Sequence, residues 1–440
     1  MTRTRNLLLA LTVTLLLVTF VSSQPRAATG QTFWNAQDSL EAVARNYVLL
    51  VLRIDQHIPG FNDYYYGPPE WKQRVEQEGK VPAEELRRAL RELLVYVDGA
   101  RGNPARLGWL RKQLVALDAN LRKLQGEKLS IAEQAQLMFD LQVTPPAEAE
   151  LGAALTEMDR LLPGKGSLAQ RYDAWRNQFR VPASKLPEAY QLALELTRQR
   201  THALLLSPAD EKVELRFVQG KSWSAYNWFQ GHAQSRIEVN TDLPASGLTI
   251  FDFTAHEAYP GHHTDLTTRE QRLYHELGYV EWCVSPLYTP ATTMAEAAAE
   301  VGRDVLMSED EKLAWQRDVF FPAVGIQNVD VELWGKLKRP LEEMGRAREA
   351  VPFMLFDEGK SDEEIVAFLE KYALMSPDRA RKVIQFDREW GAYSFNYTVG
   401  RGILRRYLAS GHARAKFVQL LITPSYPSLI EDWIRRGVEP

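Results

Sequence analysis

Three of the chain's eight histidines stand within eight residues, in the stretch 254–263, "TAHEAYPGHH". Imidazoles and carboxylates ligate transition metals, and a carboxylate beside a metal-bound water can accept its proton. His256 and Glu257 are adjacent, so on a helix their side chains diverge by about 100° and flank one cavity from neighbouring directions. On a straight helix His263 shares a face with His256 but lies about 10 Å along the axis, whereas zinc–nitrogen bonds of about 2.0–2.1 Å require near contact. Pro260 lacks an amide donor and clashes with the carbonyl four residues back, and Gly261 tolerates backbone angles that other residues avoid. A break at Pro260-Gly261 is therefore expected to bring a second imidazole, from His262 or His263, to the cation held by His256. Glu257 is the expected general base.

The spacing differs from HExxH, where histidines at i and i+4 bind zinc, because Pro260 stands at i+4. "HEAYPGHH" resembles instead the HExxPGHH signature of a little-characterised bacterial family of zinc-dependent hydrolases placed near the gluzincin metallopeptidases. "HIPGFNDYYYGPPEW" (57–71) and "RIEVNTDLP" (236–244) resemble that family as well, so the likeness spans most of the chain after the leader. It implies a gluzincin-like fold and a Zn2+ cofactor. It also implies that the Gly-His pair, here Gly261-His262, supplies the second ligand, which favours His262 over His263. The third ligand of gluzincin-like sites is a glutamate on a later helix. "TTMAEAAAEVGRD" offers Glu296 and Glu300 one turn apart on an alanine-rich helix, with Glu296 preferred. The family's Glu-Gly-Trp-Ala pattern is replaced here by Glu-Ala-Ala-Ala.

Zinc held by three protein ligands keeps a position for water, and hydrolysis then requires a donor for the developing oxyanion. "WGAYSFNYTVGRG" places Tyr393, Tyr397 and Arg401 at i, i+4 and i+8, one face of a continuous helix. Tyr397 or Tyr393 would serve the oxyanion, and Arg401 would hold a substrate carboxylate by paired hydrogen bonds. The strand around Arg236–Asn240 is expected to pair with an extended peptide. "DYYYGPPEW" (63–71) reads as a turn anchored by aromatics or as a loop contacting substrate. Cys283 has no activating neighbour, and no Gly-x-Ser-x-Gly elbow, P-loop or GxGxxG stretch occurs.

These residues need a scaffold, and its period is mostly helical. From about 38 to 205 apolar stripes such as Leu86, Leu90, Leu93, Leu94 and Val97 recur between short Pro/Gly breaks. Capping-box spacings stand at Asp38/Glu41, Ser130/Glu133 and Ser361/Glu364. Residues 212–241 alternate in twos and predict three short antiparallel strands. Helical periodicity returns from about 290. The fold class expected is mainly α, a large helical array with a small antiparallel β-sheet beside the metal site. An N-terminal helical region (24–210) and a catalytic region (211–440) would form one continuous domain.

Composition sets the outer limits. At 440 residues, 45% hydrophobic and 25% charged, the chain can bury substantial cores. A net charge of −4 without basic runs argues against a nucleic-acid partner. One cysteine excludes an internal disulfide and any multi-cysteine metal site. Residues 1–23 carry Arg3 and Arg5, an apolar run and small residues: the order of a signal peptide cleaved before Gln24, or of an uncleaved N-terminal anchor. The expectation is a periplasmic or extracellular bacterial envelope protein with no other membrane contact; no pattern specifies an oligomeric state. The function expected is zinc-dependent hydrolysis of peptides. The alternatives are a zinc amidohydrolase acting on small amides or cell-wall fragments, and an envelope binding protein with a structural metal.

Overall fold

The computed structural model describes residues 39–438 apart from Leu206, Ser222 and Leu243, so the leader expected at 1–23 lies outside the described residues. Helix dominates, as its local signals dictate. Ser130 and Ser361 each cap a helix reciprocally with the glutamate three residues on. At the first described helix, Leu40–Asp55, the cap is Ser39 rather than Asp38: its side chain accepts from Ala42 N. No helix among the described residues is long and apolar enough to cross a membrane. The described residues form one compact unit.

Among the described residues five strands interrupt the helices. β1 (Asn62–Tyr65) pairs antiparallel with β5 (Val284–Pro286), a ribbon for which the sequence had offered no clear alternation. β2 (Lys212–Val218), β3 (Ala225–Gly231) and β4 (Gln234–Asn240) match the three strands expected, but their spatial order is β2-β4-β3. Because β3 reverses the chain between them, β2 and β4 run the same way and their ladder is parallel. Within this three-stranded sheet the β3–β4 hairpin alone is antiparallel; its turn is made by Gly231, His232 and Ala233, all at positive φ. This order overturns one expectation. β4 has a neighbour on both edges, so Arg236–Asn240 has no free ladder for a peptide, whereas β3 neighbours β4 alone.

The helix Pro290–Leu306 is a central support. Ala297, Ala298 and Ala299 are each at most 1% exposed, and their small side chains let neighbours come close. A Cβ at Gly400, on the helix Val399–Ala409, would stand only 3.1 Å from Thr293 and 3.4 Å from Ala297. Gly302 performs the same service on another side, where a Cβ would come within 2.7 Å of Pro260. Glycine and alanine therefore set how closely this helix can approach the Pro-Gly break.

Candidate metal centre

The helix Ile250–Glu257 stops at Ala258, and a second helix, His262–Arg269, restarts beyond the break. The amide of Gly261 donates to Ala255 O at 2.9 Å, six residues back instead of four, so a wide turn replaces the regular ladder. Gly261 packs backbone against backbone, and a Cβ there would overlap the His256 carbonyl and come within 2.5 Å of Ala255 O. The chain thus folds back on itself, and the rings of His256 and His262 meet edge to face with centroids 4.7 Å apart.

Glu296 completes a cluster with them. His256 Nε2 lies 3.2 Å and His262 Nε2 3.4 Å from the same oxygen, Glu296 Oε2. One ligand atom from each residue lies within 4.8 Å of the others. Tetrahedral zinc ligands with bonds near 2.0–2.1 Å are separated by about 3.3 Å, so both imidazole nitrogens stand at coordination spacing from the Glu296 oxygen. Glu296 Oε2 is buried and accepts no well-aligned hydrogen bond. A buried carboxylate oxygen facing two imidazole nitrogens without an aligned partner is the arrangement a cation would satisfy.

The charges agree with the geometry. Burial alone would raise Glu296, but the charge of His262 and the close approach of His256 hold its carboxyl below the usual range. Burial alone would lower both imidazoles, yet interaction with Glu296 raises His256 and His262, with Glu300 adding to His256. Positive charge at this point is stabilised by the protein around it. The donor set, two neutral nitrogens and one carboxylate, fits zinc.

The remaining candidates fall in different places. Glu300 is not in the cluster; its Oε1 faces His256 Nδ1 at 3.3 Å, while Arg303 and Arg401 hold its Oε2 at 3.1 and 3.4 Å. It thus sits at the opposite ring nitrogen of His256 from Glu296. Arg401 also pairs with Glu342 at 2.6 Å and is not among the described residues that line the cleft beside the cluster. The single-face reading of 393–401 fails because residues 391–397 form a 3₁₀ helix and the α-helix begins only at Val399. With three residues per turn, positions four apart no longer eclipse. Both tyrosines line the cleft, but Tyr393 donates to Glu296 Oε1 at 2.7 Å whereas Tyr397 lies across the His256 ring (centroids 6.1 Å apart).

His263 turns away from the cluster into a separate polar core. Its Nε2 meets Glu211 Oε2 at 2.9 Å and its Nδ1 meets Ser235 Oγ at 2.9 Å. Neighbouring residues on a helix point about 100° apart, and here His262 takes the side of Glu296 while His263 takes that of Glu211. Glu211 also accepts from Tyr259, from Arg198 at 2.6 Å and from His202 at 3.1 Å. One carboxylate therefore ties down residues on both sides of Pro260-Gly261, a role no local pattern at residue 211 announced. Burial opposes its ionisation, but hydrogen bonds from His263, Tyr259 and Arg198 hold its carboxyl down to about 2. Because this lies below the ordinary value of 4.5, the stabilisation is present above that pH and lost as pH falls toward 2. Glu211→Gln should cost about 1–3 kcal/mol in denaturant unfolding at pH 7, the worth of hydrogen bonds to a charged group, and progressively less under acid. An equal cost at pH 7 and pH 3 would refute a charge-based clamp.

The cluster opens on a cleft of about 1170 Å³, including its mouth, with Glu257 in its wall. Burial raises the Glu257 carboxyl, with Glu296 and Asp63 adding to the shift. Asn227 of β3 donates to the Glu257 carbonyl at 2.7 Å and fixes that end of the helix. Across the cleft, Asp63 of β1 accepts from Tyr226 of β3. The aromatic stretch 63–71 had raised the possibility of substrate contact, and Asp63 and Tyr64 do line the cleft. Tyr226 and Arg269 had not been singled out, because their place depends on strand pairing and on how the second helix is aimed. Cys283 is buried, with burial pushing its thiol well up.

No protein-family profile matches the chain, and no curated protein matches it. Among solved structures, it aligns with a candidate lipoprotein from Colwellia psychrerythraea at TM-score 0.48 and 11% identity, over 90% of this chain and 77% of that one. A candidate lipoprotein of unknown function from Shewanella oneidensis aligns at TM-score 0.46 and 13% identity, over 84% and 76%. An M32 carboxypeptidase from Deinococcus radiodurans aligns at TM-score 0.36 and 10% identity, over 90% of each chain. All three TM-scores fall below 0.5, too distant to carry an assignment. What the chain itself presents is a mainly helical protein with a small sheet beside a His256–His262–Glu296 cluster that could hold a metal ion.

Proposed function

We propose that the protein is an exported zinc-dependent hydrolase, a metallopeptidase whose metal is held by His256, His262 and Glu296. The observation that carries this reading is the convergence of those three donors, at coordination spacing, in the same cleft wall as a buried glutamate. When bound, zinc would polarise a substrate carbonyl and make water acidic enough to attack near neutral pH.

The chain's own groups supply the rest. Glu257, raised by its burial, is suited to take a proton from the attacking water and return it to the leaving amine. Tyr393 fixes the second oxygen of Glu296, and Glu300 orients His256 from behind. Tyr397 is the donor best placed to meet a developing oxyanion, since it lines the cleft beside His256. Peptide specificity is favoured by β3, which has an unpaired edge and lines the cleft at Ala225, Tyr226 and Asn227. An extended backbone laid along that edge would gain ladder hydrogen bonds.

The test combines metal analysis with a peptide library. Purified protein should hold close to one zinc per chain, and His256→Ala should lose it. The library, with free and blocked ends, should be cleaved by the zinc-loaded protein alone. Zinc without cleavage of any peptide would favour the amidase or binding-protein alternatives. No zinc in either protein would remove the site.

A further inference from the structure

The cleft extends beyond the cluster along one face of the His262–Arg269 helix. His262, Asp265, Leu266 and Arg269, at i, i+3, i+4 and i+7, all line it. At 1.5 Å per residue, the two ends of this row stand about 10 Å apart. Arg269 is only 5% exposed, and among the described residues lining the cleft it is the one arginine or lysine. The acids Asp63, Glu257, Asp265 and Glu296 surround the same space.

Its donors are not consumed. Arg269 Nε lies 2.6 Å from Asp265 Oδ1, but neither that nitrogen nor either Asp265 oxygen makes an aligned hydrogen bond. The guanidinium carbon sits 5.0 Å from the centroid of the Trp282 ring, which fixes its plane. Neither Nη donates to any described residue. A buried cation held by charge at its Nε, supported on an indole and left with an open Nη fork, is built to receive a planar anion.

We propose that Arg269 binds a carboxylate on the leaving side of the substrate, supplied by a free C-terminus or by an acidic side chain within about three residues of the scissile bond. The reach follows from an extended peptide's rise of about 3.4 Å per residue and the lean of helical side chains toward the helix N-terminus. Asp265 holds Nε and keeps the cation compensated when no substrate is present. This inference rests on the peptidase reading and gives it a substrate class.

Three N-acetylated peptides of otherwise identical sequence test it with the zinc-loaded protein: a C-terminal acid, its amide, and an amide ending in glutamate. The acid should exceed the plain amide in kcat/KM by roughly 10- to 100-fold, the worth of a charged hydrogen bond. Recovery in the glutamate-bearing amide would assign the subsite to side-chain carboxylates; no recovery would assign it to the C-terminus. In Arg269→Gln the acid-to-amide ratio should collapse toward one, chiefly through KM. If that variant does not fold, the ratio in the unmodified protein still decides. Equal cleavage of all three peptides overturns this proposal while leaving the peptidase reading intact, as does a preference that survives Arg269→Gln. Cleavage of none overturns both.

Discussion

Glu257→Gln protein should retain its zinc and lose roughly 10²- to 10⁴-fold in kcat, the usual contribution of a general base. The substitution preserves shape and removes only the capacity to accept a proton. Glu257 is outside the three-donor cluster, so metal content should stay near one per chain. Its side chain is buried, and burial works against its charged form. Neutralising it should therefore not lower stability, and an increase in melting temperature is the more reasonable expectation. These three readouts together separate a base from a structural residue. Turnover within a few-fold of the unmodified protein would remove Glu257 from the chemistry and return the site to a structural metal.

Gly261→Ala is expected to be more damaging than its single methyl suggests. The added Cβ would overlap the carbonyl oxygen of His256 and crowd that of Ala255. Both obstacles are backbone atoms, so no side-chain rotation relieves them. The turn must open, and the His256–His262 approach opens with it. A stability loss of about 3 kcal/mol or more is expected, at the upper end for overpacking. Zinc affinity, measured by chelator competition on the folded fraction, should fall sharply. Gly302→Ala provides a graded comparison, because its Cβ would meet the Pro260 ring and the Phe417 side chain, which have some room to shift. Native zinc affinity in Gly261→Ala would show that the tight turn does not set the cluster.

Much of this arrangement was legible in the order of residues. The capping pairs Ser130/Glu133 and Ser361/Glu364 start helices where expected, since a cap needs only its own first turn. The alternation in 212–241 locates three strands, and the crowding of His256, Glu257, His262 and His263 around Pro260-Gly261 marks the site. What local pattern could not supply was pairing. Nothing within residues 212–240 says that β2 lies against β4 instead of β3, because either order satisfies the same alternation.

The same division holds atom by atom at the cluster. Sequence alone determined that a backbone break separates the first histidine from the next two, and that two glutamates one turn apart lie on a later helix. Only the tertiary structure decided that His262 faces the cluster while His263 faces Glu211. It likewise set Glu296 in the cluster with Glu300 behind it, and withdrew Arg401 into ion pairs with Glu300 and Glu342. Periodicity is a property of a few consecutive residues and is written in their order. Convergence of donor atoms within 4.8 Å of one another depends on how far separate helices approach and how they are rotated. That is settled by packing between segments far apart in the chain, at contacts such as Gly302 on Pro260 and Gly400 on Thr293.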